Sequence, residues 1–157
     1  MKKSFSLKSI VIAAVALIGG ICSFLPWASI SATVSGISFG DSRNGILTES
    51  PVNGLGWLTL VLFLVIIAIA GVFISKKAMP MAAKAGISGA GAVAVIVAII
   101  EIIRINNELG GSVPAYIAKY ASAGAGIGLY LLIVFAVIAA ILPWVPFNKM
   151  LGTSEKK

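Results

Sequence analysis

Glu101 and Arg104 stand three positions apart in Ala98-Ile99-Ile100-Glu101-Ile102-Ile103-Arg104-Ile105, a stretch otherwise wholly apolar. An ionised carboxylate placed in hydrocarbon costs about 2.5–3.5 kcal/mol at mid-span and less near the edge, so a carboxylate there needs a partner. A helix puts residues i and i+3 on one face, which lets Arg104 supply the opposite charge. At ~1.5 Å per residue, Glu101 lies about 6 Å in from Ile105, and Tyr130 lies about 9 Å in from Gly124 on the next apolar run. The matching depths predict that the Tyr130 phenol donates to Glu101. Two chemistries fit the trio Glu101, Arg104 and Tyr130: a proton or cation site within a membrane, or an ion pair that snorkels to water and fixes helix tilt.

Other chemistries lack their residues. There is no histidine and one cysteine, Cys22. An intrachain disulfide, a Ser-His triad and a histidine metal site are therefore excluded, and a zinc site lacks ligands. No second carboxylate, histidine or cysteine is placed to work with Glu101 in catalysis. The Gly124-Ala125-Gly126-Ile127-Gly128 run is expected to lack both the preceding strand and the acidic residue further on that a dinucleotide fingerprint needs. The reading is non-enzymatic, with no metal and no cofactor.

The elements that carry these residues are apolar. The chain of 157 residues is 59% hydrophobic and 11% charged, with a mean hydropathy of +1.08. A small globule cannot hide so much apolar surface, so the natural solvent is the lipid bilayer. Four runs near the ~20 residues needed to cross hydrocarbon predict one membrane domain over 1–157. The spans are 9–25, 55–75, 85–105 and 124–142; outer loops occupy 26–54 and 106–123, an inner loop 76–84 and an inner tail 143–157. The fold class is an all-α membrane protein, a four-transmembrane-helix bundle. Backbone groups in lipid must bond internally, which makes each run a helix.

The net charge is +7, but the bases flank the apolar runs instead of forming a patch with interleaved aromatics, so nucleic acid is not an expected partner. Lys2, Lys3, Lys8, Lys76, Lys77, Lys84, Lys149, Lys156 and Lys157 fall on one side; Arg43, Arg104 and Lys119 fall on the other with the acids Asp41, Glu49 and Glu108. The positive-inside rule then places both ends in the cytoplasm, in a multi-pass protein of the cell membrane. A basic start, an apolar stretch and small residues at Ala28 to Ala32 are also the ingredients of a cleaved signal peptide. The long apolar core and the intruding Pro26-Trp27 favour a retained span.

The first outer loop alternates Ile30, Ala32 and Val34 with Ser29, Ser31, Thr33 and Ser35, which is strand periodicity. Ser35-Gly36 and Asn44-Gly45 are turn signals, and Ile37-Ser38-Phe39 and Ile46-Leu47-Thr48 are candidate returns. A β-hairpin or three-stranded sheet between the first and second helices is expected. In the second outer loop, Ser112 as N-cap, Pro114 in the first turn and Tyr116 and Tyr120 on one face predict a short interfacial helix. Trp27, Trp57 and Trp144 read as interface anchors. Gly86, Ala90, Ala94 and Ala98 form a row at spacing four on the third span, and Gly124 and Gly128 open the fourth; such small residues let helices pack closely.

Cys22-Ser23-Phe24-Leu25-Pro26-Trp27 closes the first span, and Gly54-Leu55-Gly56-Trp57 opens the second. With a strand-like loop between them, this resembles the four-helix tetraspan proteins of the claudin and peripheral-myelin-protein type, though without their paired loop cysteines. Small prokaryotic four-span proteins look similar. The resemblance implies membrane organisation through lateral and outer-loop contacts. The expected function is a scaffold or interaction subunit partnered by the bilayer and by a homo-oligomer or another membrane protein; the alternative is a small channel or transporter subunit using Glu101.

Overall fold

The structure, a computed structural model, describes residues 6–34, 37–46, 54–76, 78–110 and 121–146. Its elements are α1 Leu7–Ile21, β1 Pro26–Val34, β2 Ile37–Asn44, α2 Gly56–Val72, α3 Met81–Gly110, β3 Ala121–Ala125 and α4 Ile127–Ile141. Single 3-10 turns, Cys22–Phe24 and Leu142–Trp144, extend α1 and α4. The predicted helix over Ser112 to Tyr120, the Ser35-Gly36 turn, Leu47, Thr48 and Glu49 lie outside the described residues, as do Lys2, Lys3, Lys77, Lys119, Lys149, Lys156 and Lys157.

α1 packs on α2 and α4, and α3 packs on α4 and α2, so the helices form a ring in chain order. Their buried positions recur at alternating steps of three and four. On α1 and its 3-10 turn these are Ser9, Ile12, Ala16, Gly19 and Ser23; on α2, Gly56, Thr59, Phe63, Ile66 and Ala70. On α3 they are Ile87, Gly91, Ala94, Ala98, Glu101 and Ile105; on α4 and its turn, Leu129, Leu132, Ala136, Ala139 and Pro143. A mean step of about 3.5 keeps one seam facing its neighbours along the whole helix, the geometry of knobs-into-holes bundles.

The seam corrects the expected packing row. Each step of four on a helix of ~3.6 residues per turn advances about 40° round the axis, so a strict spacing-four row drifts off the contact face. Ala94 and Ala98 are buried, Ala90 is half-buried and Gly86 is exposed. The close approach falls instead at Gly91, where an added Cβ would lie 2.8 Å from the Ala136 carbonyl oxygen and 3.0 Å from the Ala140 Cβ.

The seams mix small residues and the few polar ones with large apolar side chains such as Phe63, Ile87 and Leu132, while the exterior is large and apolar, with Leu17, Ile21, Leu64, Ile96, Ile103 and Val134 among the exposed side chains. Leu7–Phe24, Met81–Leu109 and Ile127–Trp144 are long and apolar enough to cross a membrane. The apolar α2 is shorter, at 17 residues. A soluble domain does not present such a surface, and these features suggest a membrane protein.

One end of the ring carries an antiparallel sheet of order β2-β1-β3. The hairpin predicted in the first loop is present: Val34 opposes Ile37, Ala32 opposes Phe39 and Ile30 opposes Asp41. The third strand does not come from that loop. It is Ala121–Ala125, with Ala28 opposite Ala125 and Ala32 opposite Ala121. α4 therefore starts after Gly124, which sits in a strand, and α3 runs beyond Ile105 to Gly110 to pack beside β3. The residues of β3 are small enough for that helix to approach the sheet closely.

Candidate functional site

Glu101 occupies a seam position of α3 and has no exposed surface. Arg104, one turn on, donates from Nε to Oε1 at 3.2 Å and from Nη2 to Oε2 at 2.6 Å. Its Nη1 donates to Glu108 Oε1 at 3.1 Å. The three side chains form a ladder up one helix face, with side-chain exposures of 0%, 23% and 40% for Glu101, Arg104 and Glu108. The ladder links a buried carboxylate to the sheet end of the bundle. A bidentate arginine fork satisfies both carboxylate oxygens, the geometry that best compensates a buried charge.

Tyr130 is not part of this arrangement. It is half-exposed on α4 and makes no hydrogen bond among the described residues, so matched depth does not bring it to Glu101. Its neighbour Leu129 holds the seam position instead. Depth fixes height along a helix but not direction around it.

The tryptophans divide in the same way. Trp57 and Trp144 are half-exposed, whereas Trp27 is fully buried. Trp27 sits at the irregularity between Pro26 and Ala28 that opens β1. Its ring packs beneath Gly45, and its Nε1 donates to the Cys22 carbonyl at 3.1 Å. It closes the sheet end from within and is no interface anchor. Gly128 packs on the backbone of Leu25 and Pro26, and Gly124 approaches Asn106, so this pair joins helix to sheet and not helix to helix.

Several polar contacts had no forewarning in the sequence reading. The hydroxyls of Ser23 and Thr59 meet at 2.9 Å between α1 and α2. The Asn106 Oδ1 accepts the Ala125 N–H at 2.9 Å and so ties α3 to β3. At the opposite end, Lys8 Nζ donates to the carbonyls of Pro143 at 2.6 Å and Val145 at 2.9 Å. Ser88 donates to the Ala140 carbonyl at 2.6 Å and accepts the Trp144 Nε1–H at 2.7 Å. The available signal was the isolated polar residue in an apolar run, falling in step with buried Gly and Ala.

Every buried side-chain polar atom among the described residues has a partner. The described residues hold no cluster of three or more His, Cys, Asp or Glu able to take a metal. The arrangement can compensate a buried charge and lock helices and sheet together. No protein-family model matches the chain, and no curated protein or solved structure matches it either.

Proposed function

We propose that all four helices cross the cell membrane, with both ends in the cytoplasm and the sheet outside, and that the protein is a non-enzymatic scaffold or interaction subunit. The observation that carries this reading is the outward face of α3 near its start. Ala82, Ala85, Gly86 and Gly89 are all exposed there, giving two small-xxx-small pairs, and a Cβ added at Gly89 would meet nothing. In lipid such a face lets another helix approach to backbone distance, where dispersion and weak polar contacts drive association. The polar side chains of the seams, by contrast, are engaged within the chain.

The test is association of the reconstituted chain, read by energy transfer between labelled copies or by co-purification in mild detergent. Ala85→Leu and Gly89→Leu should abolish association while leaving thermal unfolding in place, and Glu101→Gln should leave association unchanged. Association untouched by both leucines would refute the reading.

One observation favours the second reading, a channel or transporter subunit: a fully buried carboxylate connected by Arg104 to the sheet end. Intramembrane ionisable residues commonly mark ion or proton paths. Cation or proton flux into liposomes that disappears with Glu101→Gln would favour it over scaffolding.

A further inference from the structure

β2 is an outer strand of the sheet, and no described strand pairs with its far edge. Two amides show which residues face that edge. Ala125, opposite Ala28 on the other side of β1, gives its N–H to Asn106. Antiparallel neighbours alternate between hydrogen-bonded and non-bonded pairs, so Ala28, Ile30 and Ala32 turn their main-chain groups away from β3 and toward β2. There they meet Arg43, Asp41 and Phe39. The main-chain groups of Ser38, Gly40 and Ser42 therefore point outward. In agreement, the Ser42 N–H is taken by the Asp41 carboxylate at 2.9 Å.

Open edges invite pairing, and proteins commonly blunt them with Lys, Pro, bulges or charge. β2 holds no Lys or Pro, and the irregularity of the ladder lies between Pro26 and Ala28 on β1. The charges of β2 are Asp41 and Arg43, two positions apart on one face and paired at 3.3 Å. A two-fold axis through Ser42 sets Asp41 opposite Arg43 of a second copy, and Arg43 opposite its Asp41. Both charged pairs then fall at non-bonded positions, where side chains stand closest, and Ser42 exchanges main-chain bonds with its counterpart. An axis through Asp41 or Arg43 opposes like charges, and one through Gly40 sets Asp41 against Phe39. The strand is thus complementary to itself in one register, as a two-fold interface requires. Arg43 is engaged within its own chain as well, but a guanidinium carries several donors and serves several acceptors at once, as Arg104 does.

We propose that β2 pairs antiparallel with β2 of a second copy about Ser42, joining the two sheets into one. The contact goes beyond the helix-face reading, because β3 packs beside α3 and β2 lies on the far side of β1. Two short strands alone form a marginal pair in water, so the contact is brief and is read by oxidation, which traps encounters that equilibrium association does not register.

The experiment is disulfide trapping of the full chain in liposomes. Ser42→Cys should give linked dimers, because hydrogen-bonded antiparallel residues hold their Cα atoms about 5.5 Å apart, within disulfide range. Ser38→Cys, on the same edge, should stay monomeric. In this register Ser38 opposes Ile46, which leaves the two Ser38 positions about 27 Å apart at ~3.4 Å per residue. Wild type serves as the blank, since its Cys22 is buried. Equal linking at positions 42 and 38 would mean random collision and overturn the register.

A second arm reads the charges. Asp41→Arg in the Ser42→Cys chain should slow linking about ten-fold, as two cross-strand pairs turn from attraction to repulsion. Arg43→Asp should do the same. A mixture of these two variants should link readily into heterodimers, since each then faces the other's opposite charges, an outcome that misfolded strands could not produce. Linking indifferent to both reversals, or a mixture as slow as its components, would overturn the proposal. Gly89→Leu should leave the rate of linking unchanged, so that this contact and the helix face fail separately.

Discussion

Arg104 grips both oxygens of Glu101, with the shorter contact at 2.6 Å. Removing the arginine leaves a buried carboxylate uncompensated, whereas removing both charges leaves an apolar seam. Arg104→Ala should therefore destabilise the bundle by about 3–5 kcal/mol. The double variant Arg104→Ala with Glu101→Leu should recover most of that loss. Chemical unfolding in detergent, arranged as a double-mutant cycle, measures both; equal losses in the single and double variants would deny the coupling.

Trp27 and Trp57 should behave oppositely despite flanking the same loop. Trp27→Ala empties a fully buried site and should cost about 3–5 kcal/mol. Trp57→Ala, at a half-exposed position, should stay within about 0.5 kcal/mol in detergent. Gly45→Ala should mimic the Trp27 loss in part, because its methyl would enter the Trp27 ring. Thermal melts of the three variants decide the order.

Two glycines of α3 give a paired test of the seam. A Cβ at Gly91 would sit 2.8 Å from the Ala136 carbonyl oxygen, whereas one at Gly89 meets open space. Gly91→Ala should destabilise by about 1–3 kcal/mol through overpacking. Gly89→Ala should stabilise by about 1 kcal/mol, the helix-propensity difference between the two residues. If both substitutions shift the unfolding midpoint in the same direction, the seam is misplaced.

Asn106 joins helix and sheet through a single acceptor. Asn106→Ala should cost about 1–2 kcal/mol and expose the Ala125 amide. Hydrogen exchange should quicken across β3 and stay unchanged in β2, which pairs with β1 on its other edge.

The helices were legible because apolar runs of membrane length leave little choice, and Glu101 was legible because a carboxylate in such a run is costly. Directions around the helix axis were not. A row at spacing four looked like a contact face on α3, but the bundle uses alternating threes and fours, so Gly91 outranks Ala90. Tyr130 was matched to Glu101 by height and missed by azimuth. The tryptophans read alike as interface anchors, yet the ring is buried at Trp27 and half-exposed at Trp144, since Trp27 lies at the start of a strand and Trp144 ends the 3-10 turn that extends α4. Ala121 to Ala125 was hidden for another reason. Small residues beside an apolar run carry no strand period, and their pairing with β1 comes from tertiary context alone.

The middle strand of the sheet binds on one side to the stretch that follows it immediately and on the other to residues far later in the chain, as when Ile30 meets Ala123. During synthesis, β1 emerges before its second neighbour has been made. One of its edges must wait, bare, until α3 is complete and the chain has returned for its last helix. The sheet thus acts as a latch that shuts only on a fully threaded molecule, and a chain halted after α3 would display an unmatched strand to whatever surveys newly made proteins.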